Sequence, residues 1–333
     1  MSEFTSEQQI QELERLLRTT QRRADKAVIK QEAMVEAVYK AAYEASRAAG
    51  RVKPLPKAKR DKRKGKPEVA LIHATDWQLG KKSVSYGMET CAQRIERFTE
   101  KVMHLTDIQR SHHPVDEAVL IYGGDMVEGG GNIFPSQIHE IEAHLFEQLF
   151  ECVKIMETQV RTLAAYFPKL RIVCEYGNHG RLGRYGDGTY AGDNADRMAY
   201  KITQMQTRDL NIEWQMSDDW YQICEVGNYR ALVVHGDEIK GYGGNVPAFG
   251  ILRKCNAWAS GVIEPFVDAY MGHFHTPMSL TMANGGRVFV TGSPESHNEY
   301  AREFVAATGK PSQRLHFVDP VAGRVTSEFM VWL

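Results

Sequence analysis

The chain has 333 residues, 43% of them hydrophobic and 25% charged, with a formal net charge of −1. That balance excludes a disordered or collagen-like chain and fits one large globular domain or two smaller ones. No apolar run approaches the roughly 18 residues of a membrane-spanning helix, and the polar, amphipathic N-terminus does not read as a secretory signal.

The net charge conceals a segregation. Residues 51–66 carry nine Lys or Arg against the single acid Asp61, a net of +8, and the first fifty residues balance eight bases with eight acids. The remainder must then be acidic by nine charges.

Residues 5–49 are predicted to form one long helix, capped near Ser6 and stopped by Gly50 and Pro54. Its a/d series runs from Ile10, Leu13 and Leu17 through Thr20, Ala24, Ala27 and Gln31 to Met34, Val38, Ala41, Ala45 and Ala48. A helix packed on its own domain and a self-associating coil both fit this seam, with a lean towards a homo-oligomer. The basic stretch "RVKPLPKAKRDKRKGKP" has no core-forming content and reads as a linker, either a solvated spacer or a contact for nucleic-acid phosphates. The organisation expected is therefore a helix over 1–50, a basic linker over 51–67 and a catalytic domain over 68–333.

From Glu68 onward, short apolar runs alternate with helical stretches. "EVALIHATD", "EAVLIYGGD" and "LRIVCEYGN" read as buried strands, each ending in a polar, Gly-containing loop. A long amphipathic helix is expected over 136–167 and another near 194–207. Beyond these, strands predominate, in "IEWQM", "WYQICEV", "YRALVVHGD", "DAYMGHFH", "RVFVTGS" and a final hairpin from Arg314 to Trp332. The expected architecture is α/β, with two sheets face to face and helices outside. The five cysteines, Cys91, Cys152, Cys174, Cys224 and Cys255, are scattered without paired spacing; they fit small buried hydrophobes in a reducing, cytoplasmic setting.

The chemistry-bearing residues stand at strand ends. Asp76 and Gln78 lie in "TDWQLG", Asp125 and Glu128 in "GGDMVEGG", and Asn178 and His179 in "YGNHGR". His235 follows in "VVHGDE", and His273 and His275 in "MGHFHTP". Singly, such residues are turn formers or surface histidines. Together they supply the carboxylate, amide and imidazole mixture that binds divalent Mn, Fe or Zn.

Their order resembles the signature of the calcineurin-like metallophosphoesterases, DxH, GDxx[DEH], GNH[DE], HG and GHxH, from about Glu68 to at least Ser293. "LIHATDWQLGK" is similar to the first motif of the SbcD-type DNA repair nucleases, which usually reads DWHLG. The resemblance implies a four-layer α-β-β-α sandwich holding two divalent cations, with Mn²⁺ favoured and Mg²⁺, Fe²⁺ or Zn²⁺ as alternatives. Asp76 and His275 would bind the first, Asp125 would bridge, and Asn178, His235 and His273 would bind the second. His179 would face the substrate phosphate as general acid or transition-state stabiliser.

Three positions depart from the pattern. Gln78 replaces the histidine of the first motif, leaving a neutral oxygen as its possible ligand and a first position expected to bind more weakly. The acid that usually follows the motif-three histidine is Gly180, so His179 lacks an obvious orienting partner. Glu128 stands where the nuclease branch commonly has histidine and is expected to hold a ligand histidine by a hydrogen bond.

Arg181, Arg184 and Tyr185, in "GRLGRYGDGTY", are candidate substrate contacts or parts of a solvated loop, as are Lys240 and Tyr242 after His235. His139 and His144 are expected on a helix face, and His297 is not expected to ligate. The leading expectation is a DNA nuclease engaging its substrate through the cleft and the basic linker 51–66. A phosphodiesterase or phosphatase acting on small nucleotides or phosphoproteins is the alternative, and a non-catalytic metal-binding scaffold is the third.

Overall fold

The computed structural model describes residues 6–48, 58, 61, 63, 65–131, 133, 137–182, 193–239, 247–295 and 310–333. The chain divides into two compact units, Met1–Arg51 and Val52–Leu333. The first contains one helix, α1, Ser6–Ala48. Along it Gln31, Met34 and Val38 are half-buried, while Ala41, Ala45 and Ala48 of the same seam are exposed. Most of the basic stretch 51–66 lies outside the described residues. No helix among the described residues is long and apolar enough to cross a membrane.

The second unit is built on two sheets. One has β1 (Val69–Ala74), β2 (Glu117–Gly123), β3 (Lys169–Glu175) and β4 (Ile212–Met216) in parallel succession, extended beyond β1 by antiparallel β10 (Ser312–Asp319) and β11 (Arg324–Trp332). The other orders β5 (Tyr221–Val226), β6 (Tyr229–Val234), β7 (Asp268–Met271), β9 (Arg287–Val290) and β8 (Met278–Thr281), with β6, β7 and β9 parallel. Strand side chains alternate between faces, and the alternation defines the layers. Leu71, Val119, Ile121 and Val173 of the first sheet meet Ala231, Val233, Tyr270 and Phe289 of the second in one buried cluster. Leu232, Val234, Ala269, Met271, Val288 and Val290 point the other way, onto Ile251 and Cys255 of α5 (Ala248–Ala257).

The outer face of the first sheet is covered by α2 (Met88–Gln109), α3 (Leu145–Tyr166) and α4 (Ala195–Gln206). Tyr122 of β2 ties them together: its hydroxyl donates to Gln159 of α3 at 3.0 Å, Gln159 donates on to Thr99 of α2, and its ring stacks on Tyr200 of α4. The result is the expected four-layer sandwich. Each fully buried Leu, Ile, Val or Phe in it contributes roughly 1.5–3 kcal/mol. All five cysteines are free and buried.

One predicted boundary is corrected. The helix expected over 136–167 starts only at Leu145, because His144 caps it in a capping box with Glu147. His139 instead ends a short 3-10 turn, Gln137–His139. The four-residue edge strand β8 was not foreseen.

Candidate metal centre

Parallel strands gather their carboxyl ends on one edge of a sheet, where open α/β sheets place ligands. Here β1, β2 and β3 of one sheet and β6 and β7 of the other deliver Asp76, Asp125, Asn178, His235, His273 and His275 to adjoining loops. Asp76, Gln78, Asp125, His273 and His275 are also the only described non-glycine residues with positive φ, between 43° and 64°. Such conformations are costly for ordinary side chains and persist where the surrounding structure imposes them, typically at functional sites.

The loops are tightly interlocked. The Asp196 carboxylate, at the start of α4, accepts the backbone N–H groups of Asp125 at 2.8 Å, Met126 at 3.0 Å and Gly177 at 3.0 Å. Asp76 accepts the backbone N–H of His273 with both oxygens, at 2.9 and 3.0 Å. Two glycines make these approaches possible. A Cβ on Gly177 would lie 2.1 Å from Asp125 Oδ1, and one on Gly272 would lie 2.1 Å from Asp76 Oδ2.

Lone pairs decide whether the residues fit a cation. His235 Nδ1 lies 2.9 Å from the carbonyl of Gly123, so it carries the proton and donates. Nε2 faces Asp125 Oδ2 at 3.0 Å and Asn178 Oδ1 at 3.2 Å. Burial opposes protonation there, but Asp125 outweighs it and raises the ring's pKa well above 6.5, so a cation would take the place of the Nε2 proton. His273 joins them, so that one ligand atom each from Asp125, His235 and His273 all lie within 4.8 Å of one another. Burial, and then the neighbouring His235, push His273 down to about 4, which keeps its ring neutral and able to ligate. A carboxylate oxygen, an amide oxygen and two imidazole nitrogens converging in this way fit a divalent cation with mixed N/O ligands.

The second grouping is Asp76, Gln78 and His275. His275 Nε2 lies 3.4 Å from Asp76 Oδ1 and 3.1 Å from the Gln78 carboxamide, while its Nδ1 faces Glu295 Oε2 at 3.2 Å. The seven residues expected to ligate are thus assembled as two adjacent sets.

His179 stands against the first set without sharing its donors. Its backbone N–H donates to Asp125 Oδ1 at 2.7 Å. Its Nδ1 lies 3.0 Å from the Glu128 carbonyl and 3.4 Å from Glu128 Oε2. Burial opposes protonation of this ring, but Asp125 and Glu128 outweigh it and raise its pKa to about 9. Two expectations are therefore corrected. Glu128 holds His179, not a ligand histidine, so His179 does have an orienting partner. Gln137 fixes Glu128 in turn, donating to its carbonyl at 2.8 Å and to Oε1 at 2.9 Å.

Arg181 is ion-paired with Asp237, two residues beyond His235, so part of its charge is already engaged. Arg184, Tyr185, Lys240, Tyr242 and His297 lie outside the described residues. Sequence reasoning missed Asp196, Gln137, Lys81 and Glu295. Lys81 sits within a quoted motif, but a side chain's partner across the fold leaves no local signature.

Comparison of the sequence with protein-family models gives no match, and neither does comparison with curated proteins. Among solved structures the chain is similar to Vps29 of Chaetomium thermophilum, at 9% identity, 79% coverage of this chain, 98% of that chain and a TM-score of 0.37. It is similar also to a metallophosphoesterase of Sphaerobacter thermophilus, at 15% identity, 79% and 88% coverage and a TM-score of 0.33. A third is the phosphopantetheinyl hydrolase of Mycobacterium tuberculosis, at 13% identity, 79% and 100% coverage and a TM-score of 0.31. At these values the likenesses assign neither family nor activity, and the chemistry rests on the site itself.

Proposed function

We propose that the chain is a divalent-metal-dependent phosphoesterase whose substrate is a phosphodiester of DNA. One observation carries the hydrolytic reading: side-chain oxygen and nitrogen atoms of Asp125, Asn178, His235 and His273 converge beside a separately held His179. Asp125, Asn178, His235 and His273 would hold one cation, and Asp76, Gln78 and His275 the other. Bound divalent ions supply Lewis-acid charge neutralisation and an activated water at neutral pH.

The protein's own residues do the rest. His179, held at Nδ1 by Glu128 with Nε2 4.0 Å from Asp125 Oδ2, would give its Nε2 proton to a leaving alkoxide, an effect worth about 10²–10⁴ in rate. The Asp125 contact to its backbone N–H fixes the ring's position relative to the ligands. Asp196 keeps the Asp125 and Asn178 loops together, which limits the reorganisation left for the reaction.

Two sequence features support DNA as substrate. "TDWQLGK" is similar to the nuclease-branch first motif, and the linker's charge of +8 suits a polyanion despite the acidic body. Manganese is proposed as the working ion because Gln78 offers oxygen in place of imidazole.

The test is Mn²⁺-dependent cleavage of end-labelled duplex and single-stranded DNA alongside a generic aryl phosphodiester. The full chain is compared with His179→Ala and with a variant carrying glutamine at all nine basic positions of the linker. DNA cleavage that falls with linker neutralisation, while aryl-ester hydrolysis persists, supports the reading. Aryl-ester turnover without DNA cleavage would move the substrate to small phosphoesters. No turnover with any divalent ion would leave a scaffold.

A further inference from the structure

Beside the Asp76 grouping lies a buried charge cluster that the proposed reaction does not use. Lys81 Nζ and Glu295 Oε1 are 3.0 Å apart, and the residues are only 3% and 5% exposed. Desolvating two ions costs several kcal/mol each, so a buried pair is weak evidence for a stabilising role. Its surroundings indicate another one.

The second Glu295 oxygen, Oε2, lies 3.2 Å from His275 Nδ1 and 3.3 Å from one end of the Gln78 carboxamide. That same end of Gln78 lies 3.2 Å from Glu128 Oε2. Ionised carboxylates only accept hydrogen bonds. The end between the two glutamates is therefore the NH₂ group, and the amide oxygen is turned towards His275 Nε2, 3.1 Å away. With Nδ1–H committed to Glu295, His275 Nε2–H donates to this oxygen and faces Asp76 Oδ1, and a bound cation would take the place of that Nε2 proton. One carboxylate thus orients both an amide and an imidazole, and the Lys81 ammonium neutralises it.

Building on the reading that this centre takes divalent cations, we infer that Glu295 is a positioning residue. Compensated by Lys81, it presents the Gln78 oxygen and the His275 nitrogen together with Asp76 as a three-donor position for a hard divalent ion. On this account Gln78 is an oriented oxygen ligand and its substitution for histidine leaves a working site.

The experiment is calorimetric titration of Mn²⁺ into the metal-stripped full chain, with Mn²⁺ electron paramagnetic resonance and the melting temperature as companions. The weaker binding event is assigned to this position by its loss in His275→Ala. Glu295→Gln is expected to weaken that event about 10–100-fold while leaving the tighter event within twofold. Gln78→Ala combined with Glu295→Gln is expected to lose less than the product of the single losses, because part of each loss is the same donor. An unchanged weaker event in Glu295→Gln would overturn the inference. So would parallel weakening of both events with a lowered melting temperature, which marks a general structural role, or fully multiplicative losses. Failure of the wild-type chain to bind any Mn²⁺ would instead overturn the metal-centre reading beneath it.

Discussion

The carboxylate of Asp196 accepts the backbone N–H of Asp125 at 2.8 Å, so the residue at the middle of the candidate metal centre is held from a helix that contributes none of the proposed ligands. The same carboxylate holds Gly177, one residue before Asn178. Asn194, the cap of α4, donates to the Gly177 carbonyl at 2.8 Å. Asp196→Asn replaces one accepting oxygen by a donor facing backbone N–H groups. It is expected to cost about 1.5–3 kcal/mol, read as a shift of the urea midpoint, and to weaken Mn²⁺ binding in parallel.

His179 tests the catalytic assignment separately from metal binding. His179→Ala is expected to lower kcat by about 10²–10⁴ with Mn²⁺ affinity unchanged, because its side chain is outside both donor sets. A matched fall in Mn²⁺ affinity would make it a ligand.

Gly177 tests the packing. The Asp125 carboxylate leaves no room for a methyl group there, since a Cβ would meet Oδ1 at 2.1 Å. Gly177→Ala is expected to keep the circular-dichroism spectrum of the sandwich while losing the tighter Mn²⁺ event by more than tenfold.

Glu175 gives a pH signature away from the ligands. Its side chain accepts from the Tyr176 N–H at 3.1 Å and from Gln222 at 3.2 Å, yet burial pushes it up from 4.5 to about 8. A raised carboxyl favours the protonated folded form, so stability is greatest at low pH and is lost as pH rises towards 8. Between pH 5 and 8, unfolding free energy should fall by about 1.4 kcal/mol per pH unit relative to Glu175→Gln. Urea titrations of both chains in chelator check this, and parallel curves would contradict it.

Much of the fold was legible because its signals are local. Apolar runs such as Val69–Ile72 and Val119–Ile121 lead into polar, Gly-containing loops, and those endings mark both strand and candidate site. The residues that converge at the candidate metal centre were legible for the same reason. What escaped depends on partners distant in the chain. Lys81 and Glu295 meet only after β1 and β9 enter different sheets, and Glu128 is seen as the support of His179 only when its loop folds over Asn178. The start of α3 escaped because residues 136–144 carry helical periodicity, while the cap that ends their claim, His144 with Glu147, is a feature of backbone geometry. β8 escaped because four residues of moderate hydropathy on an edge give too short a pattern.

The most direct measurement is anomalous X-ray scattering at the manganese edge from crystals of the full chain grown with Mn²⁺. A peak bounded by Asp125, Asn178, His235 and His273, with a second beside Asp76, Gln78 and His275, is the expected result. Manganese found only elsewhere on the protein, with those side chains paired among themselves, would contradict the metal centre and the hydrolysis built on it.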